Sequence, residues 1–326
     1  MGSTVVVLGG GGFVGRAVCD RLAAAGHRVV AAGRSAPGPG SVRLDLVADD
    51  VAHLAGVLAG VAPDVVVNSV GSIWGRTDAQ MWEATTLPVL RLLDVLDSLP
   101  VRPRLVHLGT VLEYGPTPED TPVGPDVPDV PDTAYGAAKL AATRAVLDRV
   151  RSDGLDARIL RVANVLGRGT PDVSLLGRVA GALLTAGPGG PPVEIELTPL
   201  LARRDYVHVD DVAGAVLRAV TAPGAGDVLP IGRGRAVPVR ELVELLIEIS
   251  GRQARIRESG PAGPAEHLCV DPRPAARVLG WTPRRSLREA ARDLWEQRSA
   301  RAAFDPASTG GVEPRRHIEH PMEVSP

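Results

Sequence analysis

The stretch "VVVLGGGGFVGRAV", residues 5–18, begins as an unbroken apolar run, passes through four glycines, and becomes apolar again at three- and four-residue intervals. Consecutive glycines cost backbone entropy, so they persist where the chain must make room for something. A tight turn without a ligand, a flexible linker and a cradle for phosphate are the three readings. The flanks decide between them. The valine run suits a strand buried on both faces, and the spacing after the glycines suits an amphipathic helix. Gly9, Gly12 and Gly15 then fall as Gly-x-x-Gly-x-x-Gly in a strand-to-helix turn. The first would allow the turn, the second let backbone approach a pyrophosphate, and the third permit close helix–strand packing. The amides at the helix start would face the phosphates.

Working outward, "TVVVLG" (4–9), "RVVAAG" (28–33), "VRLDL" (42–46), "DVVVNSV" (64–70) and "RLVHLGT" (104–110) read as buried strands, with helical patterns between them. Alternation of this kind predicts an α/β fold, a Rossmann-type doubly wound parallel sheet. Pro88 is expected to kink or split the third helix. A helix starts near Tyr135, and "DARILRVANVLG" (156–167) follows as a strand. Beyond Gly167 come a helix over 173–186, a short candidate strand at 193–197, and helices near 238–250 and 286–298. The expected division is a dinucleotide-binding domain over 1–166, with 205–230 returning to it, and a smaller substrate lobe over 167–304. Residues 305–326 are polar with scattered Pro and Gly and are expected to form a disordered tail.

Composition narrows the function. The chain has 326 residues and a formal net charge of −2, which argues against a nucleic-acid binder that neutralises many phosphates. Cys19 and Cys269 stand far apart with no metal-ligand spacing, so a reducing compartment and no structural zinc are expected. No basic segment precedes an apolar stretch at the N-terminus, and no apolar run reaches the ~18 residues of a membrane span. A cytoplasmic location, without a membrane partner, is the expectation.

Tyr135 and Lys139, in "YGAAK", place a phenol and an ammonium on one face of a helix. A free tyrosine titrates near 10, and lowering that by about three units takes roughly 4 kcal/mol. A nearby Lys and a cationic nicotinamide together could supply it. Alone, such a pair is common on helix surfaces. Here Thr110 ends the fifth strand 25 residues before Tyr135.

With these residues the chain resembles the extended short-chain dehydrogenase/reductases, the nucleotide-sugar epimerases, dehydratases and ketoreductases. Thr110 to Gly115 match a pattern similar to Ser-x-x-x-Tyr-Gly, and "YGAAK" matches Tyr-x-x-x-Lys. "RVANVLGRG" (161–169), "RRDYVHVDDVAGAV" (203–216) and "LGWTPRRSLREA" (279–290) resemble further family segments in the right order. By that resemblance the Pro-rich stretch 115–132, which taken alone reads as a linker, is ordered over the active site.

The resemblance implies that Thr110 hydrogen-bonds the reacting oxygen and Tyr135 is the acid or base. Lys139 would bind the nicotinamide ribose and depress the Tyr135 pKa. Asn164 and Arg204 would contact the substrate diphosphate; the other reading of Arg204 is an ion pair with Asp205 or Asp210. Asp45 and Leu46 would flank the adenine, and Phe13 and Val14 join the glycines as cofactor contacts. His208 and Asp210 would shape the lobe junction. A homodimer through a four-helix interface is implied as well.

Two departures narrow the choice within the family. Its 4,6-dehydratases carry Thr-Asp-Glu at the fifth strand, whereas here Val111 and Leu112 follow Thr110 and Glu113 comes one place late. Dehydration is therefore not expected. NAD-dependent members end the second strand with an acid for the ribose 2′-hydroxyl, but here Gly33, Arg34 and Ser35 stand there, which favours NADP(H) while leaving NAD(H) open. Gly109 and "NSVGSIWG" (68–75) suggest an unusual substrate. The resulting expectation is an NADPH-dependent ketoreductase acting at C4 of a nucleotide-diphosphate keto-deoxysugar. A nucleotide-sugar epimerase and a non-catalytic NADP-binding sensor are the alternatives.

Overall fold

A computed structural model of the chain describes residues 2–35, 38, 40–71, 75–118, 121–263 and 265–304. The expected tail over 305–326 lies outside the described residues, as do Ser72 to Trp74.

Seven strands form the central sheet: β1 (Thr4–Leu8), β2 (Arg28–Gly33), β3 (Val42–Arg43), β4 (Val65–Asn68), β5 (Arg104–Thr110), β6 (Ala157–Val162) and, late in the chain, β10 (Val228–Ile231). All neighbours run parallel, in the order β10-β6-β5-β4-β1-β2-β3. The winding reverses between β1 and β4, and in such sheets the crevice at the strands' carboxyl ends beside that reversal takes ligands. The expected doubly wound sheet is present.

Strand alternation divides the core into two layers. Val5 and Val7 pack on one face beneath α1 (Phe13–Ala24) and α6 (Val209–Thr221). Val6 and Leu8 pack on the other beneath α2 (Val51–Val61), α3 (Asp78–Ser98) and α4 (Ala134–Asp153). A third core is built only from residues after 165, on α5 (Leu175–Thr185), α7 (Val239–Ser250) and α9 (Leu287–Phe304). The small sheets lie with it. β7 (Asn164–Leu166) and β11 (Ala236–Pro238) pair with β9 (Arg203–His208), as does β13 (His267–Leu268), and β8 (Val193–Leu197) pairs with β12 (Ala254–Glu258). A short helix, α8 (Arg273–Leu279), packs near β10.

Three local expectations are corrected. The third strand stops at Arg43 because the Asp45 carboxylate accepts from the Val47 and Ala48 amides (3.0 and 3.2 Å) and turns the chain. The run 156–167 is two strands, not one: Ala163 donates to Ile231 O (2.9 Å), and from Asn164 the chain leaves the central sheet for β9. Helix α3 is not split at Pro88, which is buried within one continuous element capped by Thr77 and Gln80. The described part of the Pro-rich stretch is ordered. Val123 is buried and exchanges backbone hydrogen bonds with Cys269 and Asp271, and Val130 donates to Tyr114 O.

Candidate active site

The glycine turn leaves β1 at Gly9, whose φ of +77° is left-handed, and its amide returns to Ala32 O of β2 (2.8 Å). A Cβ on Gly15 would stand 2.1 Å from Gly9 O, so α1 can approach the turn only with glycine there. Gly12 caps α1 without a side-chain hydrogen bond, which leaves the helix start to backbone donors alone. These features suit an anionic group at the N-terminus of α1. At the end of β2, Gly33 opens on space: a Cβ built there meets only Ser35 O, at 3.8 Å. Arg34 and Ser35 are exposed. Asp45 is committed to its own turn, and Leu46 is buried below it.

Thr133 caps α4 by accepting from the Gly136 amide (3.0 Å), which sets the register that places Tyr135 and Lys139 one turn apart. Lys139 is buried, and its Nζ donates to Val70 O (3.2 Å) and Leu108 O (3.0 Å), at the ends of β4 and β5. An ammonium has three donors, so one is left for a ligand. Burial lowers its pKa to about 8, with Glu113 opposing the shift. Gly71 brings the two side chains together. A Cβ there would lie 3.0 Å from Lys139 Nζ and 3.8 Å from Tyr135 Oη. Gly71, and Ser69, whose Oγ donates to Leu8 O (2.7 Å), are site residues that motif reading did not single out, although both lie in the stretch that drew notice.

The expected lowering of Tyr135 is absent from the chain by itself. Burial, then the charge of Glu113, push its phenol upward. Unaided, the chain holds Tyr135 protonated, the form of a proton donor. Beneath it, His107 accepts through Nδ1 from the Asn68 amide (3.2 Å), and burial with the Lys139 charge holds its pKa down to about 3. It is a neutral support.

A cleft of about 410 Å³ joins these parts. Gly12, Phe13, Val14, Gly15, Thr110 and Tyr135 line it together with Asn164 and Arg204, so residues far apart in sequence share one wall. Leu112, Leu175, Leu176 and Tyr206 supply its apolar surface. Thr110 caps the 3-10 turn Val111–Glu113. Asn164 Nδ2 donates to Asp205 O (3.2 Å). Arg204 is buried and pairs with Glu266, a partner neither sequence reading named. Asp205 instead accepts from the amides of Arg233 and Gly234 (2.9 and 2.8 Å). His208 joins α9 through Asp293 (3.1 Å) and caps α6, and Asp210 pairs with Arg168 (2.9 Å), so both do structural work outside the cleft. A second hollow, about 420 Å³, lies beyond α1 and α6 and holds none of the expected catalytic residues.

Gly109 has a structural cause. A Cβ there would sit 2.4 Å from Glu113 Oε1, so the glycine houses a buried carboxylate and says nothing about the substrate.

Comparison with known proteins decides the family: residues 5–232 match the NAD dependent epimerase/dehydratase family. The chain belongs to it. One epimerase/dehydratase relative is a dTDP-6-deoxy-L-talose 4-dehydrogenase (NAD(P)(+)) of Kitasatospora kifunensis, 42% identical over 303 residues, covering 90% of this chain and 95% of that one. A UDP-glucose 4-epimerase of Azospirillum brasilense is 31% identical, covering 86% and 87%. In fold, the chain matches RMD from Pseudomonas aeruginosa, solved with NADPH, at a TM-score of 0.82 and 23% identity, covering 92% and 99%. The chain is thus an enzyme of the short-chain dehydrogenase/reductase type, working with a nicotinamide dinucleotide on a small molecule, and the sensor reading gives way. No helix among the described residues is long and apolar enough to cross a membrane.

Proposed function

We propose that this enzyme is an NADPH-dependent ketoreductase acting at C4 of a nucleotide-diphosphate keto-deoxysugar in the cytoplasm. One observation carries the reading: a protonated Tyr135 lines a cleft with the buried Lys139 behind it across Gly71, and after Thr110 the chain continues with Val111 and Leu112, which offer no proton-transferring side chain. Such a site can give one proton to a carbonyl oxygen but lacks the acid–base pair that eliminating water requires. The 42% identity with a 4-dehydrogenase of a deoxysugar nucleotide supports the same chemistry, run in either direction.

The glycine turn, the uncapped start of α1 and the open space at Gly33 fit a dinucleotide, which when bound supplies the hydride. The remaining work belongs to the chain. Lys139 offers its spare donor to the nicotinamide ribose and its charge to Tyr135. The Thr110 hydroxyl and Tyr135 Oη hold the substrate carbonyl between them, and Tyr135 protonates the oxygen as the carbon is reduced. Asn164 and Arg204 hold the diphosphate, and the leucines face the deoxygenated side of the sugar. Trp82, Leu87 and Leu90, exposed on α3, give a homodimer its contact face.

The test is a panel of nucleotide-linked 4-keto-6-deoxysugars with NADPH, read by loss of cofactor absorbance at 340 nm. Stoichiometric oxidation with one of them is expected. Interconversion of UDP-glucose and UDP-galactose without net oxidation would instead establish the epimerase.

Arg204→Ala should weaken nucleotide-sugar binding about tenfold and leave NADPH binding unchanged. A charge-assisted pair is worth about 1.5–3 kcal/mol, and the lower end applies because Arg204 already shares its charge with Glu266. Calorimetry with each ligand checks it, and equal sugar affinity in both proteins removes Arg204 from the site.

A further inference from the structure

Glu113 takes no part in the reaction derived above, yet it is fully buried at the end of β5. Its Oε1 accepts from the Thr110 amide (2.8 Å), in space that Gly109 leaves open, and its Oε2 accepts from Arg161 Nε (2.8 Å). Arg161 lies on β6, stands 4.3 Å from the Tyr114 ring centroid, and passes the contact on to Asp129 of the Pro-rich stretch (2.5 Å). Arginine does not give up its proton in proteins, so Glu113 and Arg161 form an ion pair although burial alone pushes the Glu113 carboxyl upward. On the same strand, Leu108 O accepts from Lys139. Carboxylate and ammonium thus grip backbone groups two residues apart.

We propose that Glu113 is a positioning residue of the proton-transfer site: its carboxylate fixes Thr110 at the end of β5 and serves as the counter-charge that keeps Lys139 an ammonium.

The inference rests on the cofactor and proton-donor roles given above. Among the described residues, the titratable groups near Lys139 are His107, Tyr135 and Glu113, with Arg161 paired to Glu113 and opposing it by its own charge. His107 on β5 is neutral, Tyr135 on α4 is protonated, and the Val70 carbonyl, just beyond β4, is uncharged. Glu113 is the charge that favours the ammonium, against the burial that disfavours it. The sign follows. A negative neighbour raises an ammonium's pKa, so removing it lets Lys139 lose its proton at lower pH. The Tyr135 phenol, raised by the same charge, moves the same way. Both shifts carry the alkaline limb toward acid. Through Arg161 and Asp129, the Pro-rich stretch is tied to the same charge.

The experiment measures NADPH affinity by fluorescence from pH 6 to 9, which needs no substrate. Wild-type affinity should fall as pH rises through about 8, where Lys139 loses its charge. Lys139→Met should lack that limb, and Glu113→Gln should show it about one pH unit lower. Because Glu113→Gln leaves Arg161 short of a partner and can cost stability, the paired variant Glu113→Gln, Arg161→Gln is the second test: it removes the negative charge that acts on Lys139 together with the positive charge paired to it, and should move the limb the same way but by less. The limb of turnover against pH should move with it once a substrate is in hand. A limb abolished by Lys139→Met but unmoved in both Glu113 variants overturns the inference alone. Wild type and Lys139→Met that coincide across the range overturn the assignment of Lys139 to the cofactor, and this inference with it.

Discussion

Tyr135→Phe should lower turnover by ~10²–10⁴, the usual cost of losing a general acid–base group, while NADPH affinity changes little. The ring stays, and with it the packing at the start of α4. What goes is the hydroxyl, which lies next to Lys139 across Gly71. The described side chains around it are poorly suited to take over the proton. His107 is buried with its pKa near 3, Glu113 is held by Arg161, and positions 111 and 112 are apolar. Lys139 still carries protons, but it is committed to two carbonyls. Steady-state rates with the substrate found above, with NADPH titrations alongside, check the split between rate and binding. Near-wild-type turnover in Tyr135→Phe would require another proton donor and would end the assignment.

The sheet was legible in the sequence because its strands are short valine runs buried on both faces, and because the glycine spacing falls between a strand and a helix. The meeting of Gly12, Thr110, Tyr135 and Arg204 in one cleft was legible only as a resemblance, since no local periodicity relates segments a hundred residues apart. What stayed hidden was side-chain commitment. Glu266 is 62 residues from Arg204, and the pair forms because β13 lies beside β9. Gly109 looked like a statement about substrate and turned out to be the space for a neighbour's carboxylate. The break at Ala163 escaped because apolar residues run on through both β6 and β7, and only the different partner strands separate them. Motifs report which chemistry a chain carries. They report poorly which of its charges are already spent on one another.

That distinction bears directly on Arg34, whose charge no described residue takes up. Arg34 is exposed at the end of β2 and makes no ion pair among the described residues, and Gly33 beside it leaves space where an acid would repel phosphate. Wild-type protein should therefore bind NADPH more tightly than NADH, by about ten- to 150-fold, the worth of one charge-assisted contact to the 2′-phosphate. Arg34→Ala should erase most of that margin by weakening NADPH alone, because NADH offers the guanidinium no phosphate at that place. Gly33→Asp should reverse it. The carboxylate would repel the 2′-phosphate and accept from the 2′-hydroxyl of NADH, so the two affinities move in opposite directions. Neither change touches Lys139 or the glycine turn, so the common part of both cofactors should keep its hold. Titrating NADPH and NADH into the three proteins by fluorescence gives the six affinities that decide it. A wild type that prefers NADH, or that purifies with NAD+ held in place, would remove the reason for a net reductase and put the epimerase first.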